Sequence, residues 1–172
     1  MNISTATRRI AIVAALTLGF DQLTKFLVIR WFAGDDDKQV VIIPGFFKFV
    51  HWNNTGAAWS MFTGKNYLLA IVAVVALFVL YRSRHYFEAH TLNGQIALGL
   101  IFGGITGNLI DRFILHHVTD FLRFYLERRG GTEIGFPAFN VADSAICIGV
   151  GLIFIASFRQ ERMAAHPTRP PA

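Results

Sequence analysis

Residues 134–158 read IGFPAFNVADSAICIGVGLIFIASF, 25 positions whose only charged side chain is Asp143. About 20 apolar residues, at ~1.5 Å rise each, cross the ~30 Å hydrocarbon core of a bilayer as a helix. Working outward from this run, residues 89–110 give 22 positions without Asp, Glu, Lys or Arg. Residues 66–81 give 16 more, with Tyr67 and Tyr81 placed for the two interfaces. A fourth apolar segment, 10–32, is interrupted by Asp21, Lys25 and Arg30. Its opening, Arg8-Arg9 before an apolar run, imitates a cleavable signal peptide. No small-x-small cleavage site follows, however, and the apolar pattern resumes with Phe26, Leu27, Val28 and Ile29. The expectation is an all-α membrane protein, a four-transmembrane-helix bundle in one domain covering 1–172. Its spans fall at about 10–32, 66–82, 89–114 and 137–158.

Composition agrees. The chain is 53% hydrophobic and only 16% charged, where soluble domains carry roughly 25%. One cysteine, Cys147, cannot form a disulfide within the chain. The net charge of +5 comes without any basic run or stripe, so nucleic acid is not an expected partner. Basic residues instead flank the spans, and Arg8-Arg9 together with the basic C-terminal tail places both termini in the cytoplasm. The tail, about 163–172, contains Pro167, Pro170 and Pro171 and is expected to be disordered. In the first outer loop two β-like runs, Val40 to Ile43 and Phe46 to Trp52, surround Pro44-Gly45. The second, about 116–136, begins with amphipathic Val118, Phe121, Leu122, Phe124 and Tyr125 before Gly130-Gly131, which suggests an interfacial lid helix.

Polar groups inside spans are costly and normally face a bundle interior or a water-filled cavity. Asp21 and Lys25 are spaced i, i+4; Asn108, Asp111 and Arg112 share a second helix face; Asn140 and Asp143 share a third. With the N-terminus inside, these groups and Asp120 collect near the outer surface. For several of them a structural role competes with a chemical one. Asp21 with Lys25 reads first as an internal ion pair, Asp111 and Arg112 could neutralise each other, and Asp120 could cap a helix. Asp143 has no basic residue within a helical turn and needs a partner or a proton; Asp120 is the candidate partner. Gly99, Gly103 and Gly107 recur every four residues, the spacing of close helix packing. His116-His117 lacks further ligands at metal spacing, so no metal and no cofactor is expected.

Five segments, in order, carry a resemblance. They are Asp21-Gln22-x-Thr24-Lys25, Asn54-Thr55-Gly56-Ala57-Ala58, Gly107-Asn108-x-x-Asp111-Arg112, Val118-Thr119-Asp120-Phe121 and Phe139-Asn140-Val141-Ala142-Asp143-Ser144. Together they resemble the signature blocks of lipoprotein signal peptidase (bacterial signal peptidase II), from about residue 10 to 158. The resemblance implies an aspartic endopeptidase of the bacterial inner membrane. It would cleave diacylglyceryl-modified prolipoproteins just before the lipid-bearing cysteine, as a monomer with membrane lipid as a further partner. It also implies Asp120 and Asp143 as the catalytic dyad. Asn54, Gly104, Asn108, Arg112 and Asn140 would line the substrate groove, with Asp21, Lys25 and Asp111 in support. Thr119 and Trp59 stand where the family more often has Val and Phe, and the Glu127-to-Gly135 stretch is longer than usual. Two rival readings stay open on the residues alone: a small ion translocator, and a non-catalytic lipoprotein-binding factor.

Overall fold

The computed structural model of the chain describes residues 4–33, 39–56, 61–87, 89–128, 130 and 132–165, with side chains as far as Phe158. Four helices are long and apolar enough to cross a membrane. They are α1 (Thr5–Trp31), α2 (Asn66–Ser83), α3 (Leu92–Ile114) and α4 (Val141–Ala165). Two of them start where a hydroxyl takes up a free amide. Ser4 Oγ accepts from the Thr7 N–H at 3.2 Å, and Thr91 Oγ1 from the Gly94 N–H at 3.0 Å. Residues 137–140 are not helical, so the last helix begins at Val141. Its far end runs on to Ala165, past the point where the tail was expected to begin. Residues 166–172 lie outside the described residues, as does Trp59.

The bundle is organised around α3, with α1 and α4 packed closely against it and α2 leaning on it more lightly. Small residues set the spacing. A Cβ on Gly103 would lie 2.6 Å from the Ala14 carbonyl oxygen of α1, and one on Gly104 would lie 2.5 Å from that of Ala142 in α4. On α2, Ile71, Val72, Val75, Phe78 and Val79 remain exposed, the surface that a bilayer would cover.

A four-stranded antiparallel sheet, in the order β1 (Val40–Ile43), β2 (Phe47–Asn54), β3 (Val118–Glu127), β4 (Glu133–Gly135), joins the helices. The two β-like runs of the first outer loop form β1 and β2, turning through Gly45 at φ 71°. The expected lid helix is a correction: residues 118–127 form a strand. Val118, Phe121, Leu122 and Tyr125 do fit a helical stripe, but the free edge of β2 decides the matter. It pairs Trp52 with Asp120 and Asn54 with Val118, far apart in sequence. Valine, threonine and aromatic side chains suit such a surface. The chain enters β3 through His116, whose φ of 63° ends the helical path. Phe121 then packs on Val28 and Phe32, fixing the sheet to the end of α1.

Thr119 is fully buried in β3, and its hydroxyl has no hydrogen-bond partner among the described residues. An unpaired buried hydroxyl costs on the order of 1–3 kcal/mol. Thr119→Val should therefore raise the thermal midpoint in detergent by about 2–4 °C per kcal/mol recovered. A scanning-fluorimetry comparison that showed destabilisation would mean the hydroxyl has a partner in the membrane.

Candidate active site

The polar centre grows outward from one buried cation. Asp21 and Lys25, one turn apart on α1, form an ion pair at 2.8 Å. Lys25 Nζ also lies 2.8 Å from Asp111 Oδ2 on α3 and donates to Asn108 Oδ1 at 2.9 Å. An ammonium has three N–H groups, and each finds an acceptor. Asp111 is thus neutralised by Lys25 rather than by its neighbour Arg112. The Arg112 guanidinium donates instead to the carbonyls of Asn108 at 3.2 Å and Gly56 at 3.3 Å. That contact ties the end of α3 to the loop after β2.

The two carboxylates beside Lys25 each reach a further element. Asp21 Oδ1 accepts from the Ala142 N–H at 2.8 Å, in the first turn of α4. Asp111 Oδ2 accepts from the Thr119 N–H at 3.3 Å, at the start of β3. Gln22 adds a bond of 2.9 Å to Asp111 Oδ1. Gln22 lies in the first of the five segments but is not among the expected site residues; an amide next to Asp21 inside a span is the available signal.

Asp120 and Asp143 are held by amides. Asn140 caps α4: its Oδ1 accepts from the Asp143 N–H at 2.9 Å, and Asp143 Oδ2 accepts from the Asn140 N–H at 3.2 Å. This is a reciprocal capping box with Asp in the acidic position. The Asn140 Nδ2 donates to Asp120 Oδ1 at 2.8 Å, so one side chain bridges both acids. Asn54 Nδ2 donates to Asp120 Oδ2 at 2.8 Å, and Asn108 Nδ2 donates to Asp143 Oδ1 at 2.7 Å. Burial pushes the Asp120 carboxyl up to about 7, with the negative charge of Asp143 adding to the rise. The amides of Asn54 and Asn140 pull in the opposite direction.

Two cavities meet at Asp120. One, about 500 Å³, is mostly apolar and is bordered by Asn108, Arg112, Asp143, Ile146 and Cys147. The other, about 550 Å³, opens on the sheet side past Trp52, Asn53 and Arg123. Asn54, Asp120 and Phe136 to Ala138 belong to both walls. Gly104 is not among the lining residues of either; it lies in the α3–α4 contact against Ala142 and Ile146. Asp120, Asp143, Asn54, Asn108, Arg112 and Asn140 come together, with Asp21, Lys25 and Asp111 directly behind them. Among the described residues, no three His, Cys, Asp or Glu side chains cluster as metal ligands would.

Residues 13–159 match the family described as Signal peptidase (SPase) II. A lipoprotein signal peptidase from Symbiobacterium thermophilum is 40% identical over 152 residues, covering 88% of this chain and 95% of its own. One from Bacillus subtilis is 34% identical over 144 residues, covering 83% and 88%. A solved structure described as a bacterial membrane enzyme, obtained by the in meso method at 2.3 Å resolution, is similar with a TM-score of 0.75. It shares 31% identity and covers 94% of this chain and 93% of its own. A polar centre of this kind at the end of a four-helix bundle, and relatives aligned along nearly the whole length, lead to one assignment: the chain belongs to the signal peptidase II family, the lipoprotein signal peptidases.

Proposed function

We propose that this chain removes signal peptides from diacylglyceryl-modified prolipoproteins by water attack at an Asp120–Asp143 dyad, cutting just before the modified cysteine. Membership of the family, with four apolar helices, already makes it a multi-pass peptidase of the bacterial inner membrane. The observation that carries the finer reading is the Asn140 bridge, which presents both acids to one cavity.

The two carboxyls sit in different surroundings, and the difference suggests their roles. Asp143 lies in the first turn of α4, where the helix dipole and the hydrogen bond it accepts from the Asn140 N–H favour a negative charge. Asp120 is buried on a strand and retains its proton to about pH 7. In the proposed reaction Asp143 accepts a proton from water as that water attacks the scissile carbonyl, while Asp120 donates a hydrogen bond to the carbonyl oxygen. Collapse of the tetrahedral intermediate breaks the C–N bond, and a dyad proton passes to the leaving amine of the cysteine. Arg112, Asn54 and Asn108 position the substrate backbone; Asp21, Lys25 and Asp111 hold the elements that carry the dyad. Gly104 serves by allowing α4 to approach α3. Both acids come from one copy, so a single chain suffices. With both termini in the cytoplasm, the dyad lies near the outer face, where the two acyl chains of the substrate stay in lipid. Each buried methylene contributes ~0.8 kcal/mol to that anchoring.

Asp120→Asn and Asp143→Asn should each reduce cleavage of a lipidated precursor at least ~10³-fold. Both variants should still insert and accumulate, because an amide preserves size and most hydrogen bonds. Near-normal product from either, followed by mass spectrometry, would remove the dyad from the mechanism. A matched precursor without the diacylglyceryl group should be cut far more slowly.

The pH profile gives a second test. Activity needs the Asp120 proton, so kcat/KM should fall as pH rises through about 7. The Asn54 amide favours the ionised form of Asp120, and its removal raises the affinity for the proton. Asn54→Ala should therefore move the basic limb to higher pH, besides lowering the rate. A limb that stayed in place or moved down would place the titration on another group.

A further inference from the structure

The cavity on the sheet side carries a positive charge that the dyad chemistry does not use. Lys48 and Arg123 are partners across the β2–β3 ladder, like charges placed directly opposite. Glu133 of β4 answers chiefly to Lys48, with both its oxygens 2.7 Å from Nζ. Lys48 is further held by Gln39 Oε1 at 2.6 Å and by the Tyr125 ring at 4.5 Å. Arg123 is left with a longer contact of 3.5 Å to Glu133 and with the Trp52 ring 4.3 Å from its guanidinium carbon. Its Nε is buried and makes no hydrogen bond among the described residues. Among the described residues, two cations therefore meet one carboxylate. The other acid on this wall, Asp120, already has both oxygens occupied by Asn54 and Asn140.

We infer that this cavity receives the first residues of the mature lipoprotein, after the modified cysteine, and that Arg123 selects for an acidic side chain there. The inference rests on the dyad reading, which sets the scissile bond at Asp120. The apolar cavity on the other side of Asp120 suits the signal segment, so the mature end leaves toward the sheet. Arg123 follows Asp120 by three positions on β3, roughly 10 Å at ~3.4 Å per residue. An extended substrate covers that distance in about three residues, which brings Arg123 to the first or second residue after the cysteine. Stacked on Trp52, the guanidinium is held in place and can offer a planar pair of donors to a carboxylate.

The test uses purified full-length protein and lipidated precursors that differ only in those two residues, as Asp, Asn or Lys. Wild type should cleave the Asp precursor roughly tenfold faster in kcat/KM than the Lys precursor, with Asn between, the scale of one charge-assisted contact. High salt should narrow the gap. Arg123→Gln should bring the three rates to within about twofold of each other, and Arg123→Glu should reverse their order, a gain that misfolding cannot produce. Equal rates with wild type, or a preference that survives Arg123→Gln, would overturn the inference and leave the dyad intact. No cleavage of any lipidated precursor by wild type would instead count against the dyad reading itself, and the inference with it.

Discussion

The arrangement depends on the Lys25 ammonium, buried where no bulk water can solvate it. Removing one partner from a buried ion pair costs about 3–5 kcal/mol, because the remaining charge is left uncompensated. Here the three N–H groups are shared among Asp21, Asp111 and Asn108, from two helices. The same two carboxylates then hold the Ala142 amide at the start of α4 and the Thr119 amide at the start of β3. Asp143 and Asp120 immediately follow those two amides. A single cation in the bundle thus determines, through one intermediary on each side, where both acids stand. An apolar replacement could pack the helices as tightly. It could not aim two backbone segments at one point.

Around that centre the acids acquire different characters from different backbones. Asp143 belongs to a capping box, so its carboxylate also completes the hydrogen bonding of a helix start. Asp120 stands on a strand with its oxygens occupied by two side-chain amides, and burial dominates its protonation. Two identical side chains thus stand in different surroundings, one at a helix start and one on a strand. Asn140 belongs to both environments, which couples the helix cap to Asp120.

Much of this was legible in the sequence, because helices impose local spacing. The i, i+4 relation of Asp21 and Lys25 and the shared face of Asn108, Asp111 and Arg112 follow from 3.6 residues per turn. The lack of any base near Asp143 pointed to Asp120. What local spacing could not supply was pairing between distant segments. Asp111 and Arg112 were candidates to neutralise one another, yet Asp111 turns to α1 and Arg112 to the Gly56 carbonyl. The stretch from Val118 to Tyr125 fits a helical stripe and became a strand because β2 offered an open edge. Lys48, Arg123 and Glu133 form a group only once three strands are aligned. Gly104, expected in the groove through resemblance, lies in the helix contact beside it.

The glycines of α3 connect packing to chemistry more directly than close spacing alone requires. A Cβ on Gly107 would run into Asp21 Oδ2, the oxygen that faces Lys25. Alanine there would push against a carboxylate already committed to an ammonium and, through its other oxygen, to the Ala142 amide. Gly103 and Gly104, one turn earlier, let α1 and α4 approach α3 on adjacent faces. Had the helices stood even one methyl group further apart, Asp21 could not bridge from Lys25 to α4. The small-residue stripe, ordinarily a means of bringing apolar helices together in lipid, here provides the space in which a polar network can form. That network lies at one end of the bundle, next to the sheet, where the two cavities meet at Asp120.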